Sequence, residues 1–249
     1  MQFDEAAAEL VQLKVDLIYA DSAPATRAAF AATRAIPIVA LDYTNDPVVA
    51  GYAQSYASPG HNLTGFFLDA PEFAAKWLEL LQAAVPKLSR VAVVWDPSPG
   101  ATHLQAIRSA AQRLGLRLQI LQVHKPDELG AAISAIRGHA QAVVVLPSPM
   151  LLGQSARFGQ LTLEHRIPTA SFHIQLAEAG VLFAYGPDDT EAGKRCGLLA
   201  AKILNGAKPG NLPVERPTTF TYVVNLKTAK ALGLHLPDSV LVGATEVIR

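Results

Sequence analysis

The residue types that carry most enzyme chemistry are thinly spread in this chain. Seven histidines stand apart, and none lies four residues from another, so no helical pair is set to share a metal ion. The one cysteine, Cys196, sits in the apolar run Cys196-Gly-Leu-Leu-Ala-Ala. Alone it closes no internal disulfide, and it reads as a small buried hydrophobe rather than a nucleophile. A dinucleotide site needs Gly-x-Gly-x-x-Gly after the first strand, so that backbone can approach a pyrophosphate, and no such run exists. Gly186 and the Gly193-Lys194 pair have six residues between them where a phosphate loop needs four, and Arg195 stands where that loop needs Ser or Thr. Gly153-Gln-Ser155-Ala-Arg lacks the second glycine of a nucleophile elbow. Asn62-Leu-Thr64 matches a glycosylation tripeptide, a pattern common by chance. The expectation is a protein with no cofactor and no metal, and not an enzyme.

What remains is positional. In open α/β sheets, ligands bind beyond the carboxyl ends of the strands. Those ends carry Ser22 and Ala23, then Tyr43, Thr44 and Asp46, then Trp95, Asp96 and Ser98, then Ser148, then Phe172. The set mixes hydroxyls, carboxylates and rings. It suits a small amphiphilic molecule: a helix N-terminus for a carboxylate, an Asp for an ammonium, an aromatic face for stacking. Each residue also has a local alternative, Ser22 and Ser98 as helix caps and Trp95 as core, so the argument rests on the set.

The elements that must position these residues alternate along the chain. Short apolar runs at 17–20, 36–41, 90–95, 116–123, 142–146 and 167–170 read as strands, and a third short strand of the first set ends near residues 62–66. Amphipathic stretches between them read as helices, at 5–14, 24–34, 72–85, 102–114, 126–137 and 155–165. Strand and helix in alternation predict parallel sheets covered on both faces, and the near-continuous apolar strands agree. Residues 1–66 hold one set and residues 90–171 another, which predicts two doubly wound lobes with a ligand cleft. Further on, 182–185 and 220–225 read as strands, and 189–205 and 226–232 as helices.

Composition agrees with a folded chain. Half of the 249 residues are apolar, 17% are charged, and mean hydropathy is +0.23. Lys plus Arg and Asp plus Glu both number 21, so no basic surface is set aside for nucleic acid. The longest run free of both charged residues and histidine, 140–156, is broken by Pro147 and Pro149 and is no membrane span. The start, Met1-Gln-Phe-Asp-Glu, does not read as a signal peptide, and taken literally it keeps the chain in the cytoplasm.

The C-terminal stretch Phe220-Thr-Tyr-Val-Val-Asn-Leu-Lys-Thr-Ala-Lys-Ala-Leu-Gly-Leu-His-Leu-Pro237 resembles the closing segment of tryptophan/tyrosine-type ABC transporter substrate-binding proteins. Ala23-Pro24-Ala25-Thr26, Ile36-Pro-Ile-Val, Asp46-Pro47, Ser58-Pro-Gly-His-Asn-Leu-Thr-Gly65, Lys76-Trp-Leu-Glu-Leu-Leu81, Tyr185-Gly-Pro-Asp188 and Ile203-Leu-Asn-Gly-Ala-Lys-Pro209 resemble that family's other landmarks, in order. The resemblance implies the type I periplasmic binding fold, an aromatic amino acid or related solute in the cleft, a membrane permease as partner, and a periplasmic location. It adds Tyr185 and Asp188 to the expected site. Residues 1–66 with 182–212 are expected to form the N-terminal lobe, and 67–181 with 213–249 the C-terminal lobe. Relatives usually open with a signal peptide and a further strand-helix-strand unit, so the first lobe is expected to be truncated and to self-associate through a bare strand edge at 15–20. Many relatives carry Asp where this chain has Ser148. Two rival readings are an effector-sensing regulatory domain of the same fold and a non-functional truncated paralogue.

Overall fold

A computed structural model describes residues 3–68 and 72–249. The chain divides into two compact units, Met1–Ala70 with Pro187–Thr219, and Pro71–Gly186 with Phe220–Arg249.

The first unit opens with α1 (Phe3–Gln12), β1 (Ile18–Asp21), α2 (Ala23–Ala32), β2 (Ile38–Asp42) and β3 (Leu63–Phe67). The strands form a parallel sheet in the order β1-β2-β3, with Ile18 opposite Ile38 and Ile38 opposite Leu63. Side chains alternate across a strand, so each face has its own core. On one face Ile18, Ala20, Ile38, Ala40, Leu63 and Phe67 pack with Ala29 of α2 and with Tyr52. On the other, Val39, Leu41 and Phe66 meet Ala192, Cys196, Leu199 and Ile203 of the helix Asp189–Leu204. β2, in the middle, is buried at every position, whereas β1 alternates buried and exposed. The outer edge of β3 is met by Glu215, whose N–H donates to the Gly65 carbonyl and whose carbonyl accepts from Phe67 N–H. No described residue meets the outer edge of β1 in this way.

The second unit holds α3 (Glu72–Ala84), β4 (Arg90–Trp95), α4 (Thr102–Arg113), β5 (Arg117–Gln122), α5 (Leu129–Ser134), β6 (Ala142–Val145), α6 (Pro149–Leu152), α7 (Ser155–Glu164), β7 (Thr169–Ser171), α8 (Ile174–Glu178) and β8 (Phe183–Pro187). The chain then enters the first unit as α9 (Asp189–Leu204) and returns as β9 (Phe220–Asn225), α10 (Leu226–Leu232), α11 (Asp238–Leu241) and β10 (Glu246–Ile248). Seven strands form one sheet in the order β10-β9-β8-β7-β6-β4-β5. Pairing is parallel from β5 through β8 and between β9 and β10. Asn225 bonds to Leu182 at one end and Asp188 to Thr219 at the other, so β9 runs antiparallel to β8. The core collects Val143 and Val145 of β6, Ala92 and Val94 of β4, and Leu129, Ile133, Phe158 and Leu176 from the covering helices.

The parallel α/β class and most elements match the sequence reading. The differences are local. The stretch 126–137 is a single 3-10 turn at Pro126–Glu128 followed by the short α5, Leu129–Ser134. The four- and five-residue helices α6 and α8 and the terminal β10 lie below the length at which periodicity is legible. The unit boundaries differ too. β8 pairs with β7, Ala170 opposite Phe183, which puts 183–186 in the second unit rather than the first. Residues 213–219 belong to the first, where Val214 and Glu215 bond to Tyr56 and Gly65.

Candidate functional site

In the first unit the expected residues stand at the carboxyl ends of β1 and β2 and at the start of α9. Ser22 follows β1 with φ +113°, a conformation few side-chain-bearing residues adopt, and its N–H is fixed to the Leu41 carbonyl at 2.8 Å. It precedes α2 at the N-cap position, yet its hydroxyl makes no capping bond, contrary to the cap that the sequence suggests. Ala23 is buried at the first helical position. Tyr43 donates its hydroxyl to Asp189 at 3.1 Å, and burial together with the Asp189 charge pushes its ionisation far up. Thr44 is buried, and its N–H donates to Asp42 at 2.8 Å. Asp46 accepts from Val48 N–H, Val49 N–H and the Tyr56 hydroxyl at 2.7, 2.9 and 2.9 Å. Partial burial works against its charge, but these bonds prevail and hold its carboxyl below the usual range. Asp188 caps α9, accepting from Thr190 and Glu191 N–H.

In the second unit Asp96 is buried and accepts from Ser98 N–H at 2.9 Å, the Ser98 hydroxyl at 2.8 Å and the Ser148 hydroxyl at 2.5 Å. Ser148 in turn accepts from Leu151 N–H as the cap of α6. This triad joins the ends of β4 and β6. Trp95 is half-buried, and its indole N–H donates to the Gly100 carbonyl at 3.2 Å. Phe172 is buried among Phe73, Trp77, His103 and His173, with ring centroids 5.1 to 6.2 Å away. Tyr185 is partly exposed against Phe73, Phe220 and Tyr222. Its carbonyl accepts the Trp77 indole N–H at 2.9 Å. The end of β7 and the end of β8 therefore share one aromatic cluster.

A pattern emerges among these groups. The carboxylates Asp46, Asp96 and Asp188 are each engaged by their own loops or helix ends, which a reading of residue types alone does not show. Buried polar atoms without a hydrogen-bond partner, among the described residues, include the hydroxyls of Ser22 and Thr26 and both ring nitrogens of His173. Thr26 is absent from the strand-end set, although its place four residues beyond Ser22 puts both on one side of α2. Burial lowers the His173 ionisation to about 4, and the nearby His103 adds to the effect. Cys196 is buried against the Ala40 carbonyl, and burial, with the Asp21 and Glu215 charges, pushes its thiol up to about 12, which fits a core residue. Among the described residues no group of three His, Cys, Asp or Glu is placed to hold a metal ion, and no helix is long and apolar enough to cross a membrane.

Comparison with known proteins gives the arrangement a family. A tyrosine-binding protein of Clostridioides difficile is 28% identical over 232 residues, covering 92% of this chain and 66% of its own length. The chain thus spans about two thirds of that relative. The crystal structure of an ABC domain in complex with L-Trp from Streptococcus pneumonia shares the fold, with a TM-score of 0.89 at 24% identity, covering 99% of this chain and 83% of that one. A ligand-free, open substrate-binding protein with adhesive properties from Clostridium difficile matches with a TM-score of 0.65 at 27% identity, over 99% of this chain and 82% of that one. The model of the ABC transporter substrate binding protein family matches residues 4–248, and the chain belongs to that family.

Proposed function

We propose that this protein is the solute-capturing component of an ABC importer, working on the periplasmic side and handing an aromatic amino acid or related amphiphilic solute to a membrane permease. The observation that carries the solute class is the aromatic cluster at the ends of β7 and β8, where Phe172 and Tyr185 gather with Phe73, Trp77 and Phe220. Of these rings Tyr185 and Phe220 keep exposed surface over the buried Phe73, Trp77 and Phe172, and such a surface can take a ligand ring by edge-to-face or offset contact. The tyrosine-binding relative supports the same class. The twelve residues expected from the sequence, six in each unit, are proposed as solute contacts, with Trp95 and Tyr185 of the second unit offering ring surface. A carrier of this kind turns nothing over. Thermal-shift screening of the free amino acids checks the reading, since a ligand that binds only the folded state raises its melting temperature. Stabilisation by L-tryptophan or L-tyrosine is expected. Stabilisation by zinc alone, reversed by chelator, would sink it.

The 249-residue chain is also proposed to self-associate, with a second copy pairing along the outer edge of β1. Tyr19 is half exposed there, and Ile18 N–H is turned inward to the Pro37 carbonyl, which leaves Tyr19 N–H facing outward. Sedimentation should show concentration-dependent dimers that Tyr19→Lys disperses. A monomer at all concentrations would dismiss the idea.

A further inference from the structure

We propose that the imidazole of His173, in the second unit, is a specificity-determining acceptor for a hydrogen-bond donor carried on the aromatic ring of the solute, a phenol O–H or an indole N–H. The inference rests on the carrier reading and deepens it, because it decides which aromatic solutes are preferred.

The starting point is a ring whose polar atoms are stranded. Both His173 nitrogens are buried, and neither has a hydrogen-bond partner among the described residues. Buried polar side-chain atoms are ordinarily paired, and leaving one unpaired costs stability. The rest of the residue is well anchored. His173 stands between β7 and α8, and its carbonyl accepts from the Ser171 hydroxyl at 2.9 Å and from Leu176 N–H at 3.2 Å. The stranded ring therefore hangs from a fixed backbone and does not result from a loose loop.

The surroundings tell which half of the ring is short of a counterpart. A neutral imidazole carries one N–H donor and one lone pair. Burial, with His103 nearby, lowers its ionisation to about 4, so the ring is neutral at ordinary pH. The Phe172 ring lies 5.1 Å away with its plane at 83°, an edge-to-face contact, and an aromatic face can receive an N–H. No aromatic face gives a hydrogen bond to a lone pair. Donors of the same cluster are spent elsewhere, Trp77 N–H on the Tyr185 carbonyl at 2.9 Å and the Tyr222 hydroxyl on the Val240 carbonyl at 2.8 Å. The lone pair is the group left unmet.

Its place suits a solute ring. His173 lies just past the carboxyl end of β7, the end at which open α/β sheets bind ligands. Phe172 links it to Phe73 and Trp77, over which Tyr185 and Phe220 keep exposed surface. His173 itself keeps part of its surface exposed, although its nitrogens do not share in it. Torsion about the Cβ–Cγ bond of histidine is broad, so the ring can turn a nitrogen to that surface while the backbone stays in place. A solute ring that packs at this cluster with a donor on its rim supplies what the lone pair lacks. A plain phenyl ring leaves it unmet, and a site built around such a bond rejects the analogue that cannot make it.

Isothermal titration of the purified protein tests the assignment. The probes are L-tyrosine against L-phenylalanine, which lacks the hydroxyl, and L-tryptophan against its derivative methylated at the indole nitrogen. Each donor-bearing probe should bind more tightly than its counterpart by about tenfold or more. His173→Phe should abolish the preference, chiefly by weakening tyrosine, while His173→Gln, whose amide oxygen accepts, should keep part of it. Nitrogen NMR of the histidine-labelled parent adds a readout that needs no variant: one imidazole should shift with tyrosine and stay in place with phenylalanine. Equal affinity for tyrosine and phenylalanine in the parent, or a preference that survives His173→Phe, overturns the assignment while the carrier reading stands. Should His173→Phe fail to fold, a tyrosine complex in which no imidazole nitrogen shifts overturns it equally. If no probe binds at all, the carrier reading for aromatic solutes falls, and this inference with it.

Discussion

Ser148 donates its hydroxyl to Asp96 across 2.5 Å, tying the loop after β6 to the loop after β4. Both residues are buried, and the Asp96 carboxylate receives three donors in all. A charge out of water is tolerable only when its lone pairs are met, so each donor matters. Ser148→Ala removes one and also uncaps α6. It should cost about 1–3 kcal/mol, read as a lower urea midpoint at unchanged slope. An unchanged midpoint would show that water replaces the hydroxyl without loss.

Gly159 marks a second point of close approach, between α7 and α8. A Cβ built there would stand 1.9 Å from the Ala179 carbonyl oxygen. The obstacle is backbone, which cannot swing aside as a side chain would. Gly159→Ala should therefore exceed the usual cost of overpacking, at about 3 kcal/mol or more, and it should loosen the second unit as judged by near-ultraviolet circular dichroism. A variant that melts like the parent would show that the two helices separate at little cost.

Trp95 separates two roles that sequence alone leaves joined. Its indole N–H is held by the Gly100 carbonyl, while its ring stays half-buried at the end of β4. A ring that faces the solute should, on Trp95→Ala, weaken L-tryptophan binding by more than it lowers stability. Loss of stability with undiminished affinity in the folded fraction would make the ring core and remove it from the site.

The legible part of the molecule was that which periodicity and position control. β4 and β9 were readable to the residue, because Arg90-Val-Ala-Val-Val-Trp95 and Phe220-Thr-Tyr-Val-Val-Asn225 are apolar runs bounded by polar or turn residues. β8 was readable as a strand but not as a member of the second sheet, since nothing in Phe183-Ala-Tyr-Gly-Pro187 encodes its partner. The strand-end rule names Asp46 and Asp96, and the family resemblance adds Asp188, yet all three are engaged by nearby donors, a matter of loop geometry that residue type does not carry. The reverse holds for Thr26 and His173. Each is ordinary in type and becomes informative only through the hydrogen bonds it lacks.

His173 gives stability a pH dependence of known sign. The residue as a whole is partly exposed, but both ring nitrogens are buried, and burial lowers its ionisation to about 4 from an ordinary value of 6.5. The folded protein thus keeps the ring neutral in a range where the unfolded chain takes up a proton. Protons then favour unfolding, so stability falls as pH drops through 6.5 and stops falling near 4, while above about pH 7.5 the residue contributes no slope. The total loss is on the order of 3 kcal/mol, with about 2 kcal/mol of it present by pH 5. Two carboxyls act oppositely, the buried Asp42 and the more exposed Asp21. Burial raises Asp21 and Asp42, so acid neutralises an unfavourable charge in each and offsets part of the loss. A comparison of parent with His173→Gln removes these common contributions. Between pH 8 and pH 5 the parent should lose about 2 kcal/mol more than the variant, measured by urea denaturation at each pH. Parallel losses in the two proteins would mean that the buried imidazole gains a proton while folded, through a partner that reaches its nitrogens.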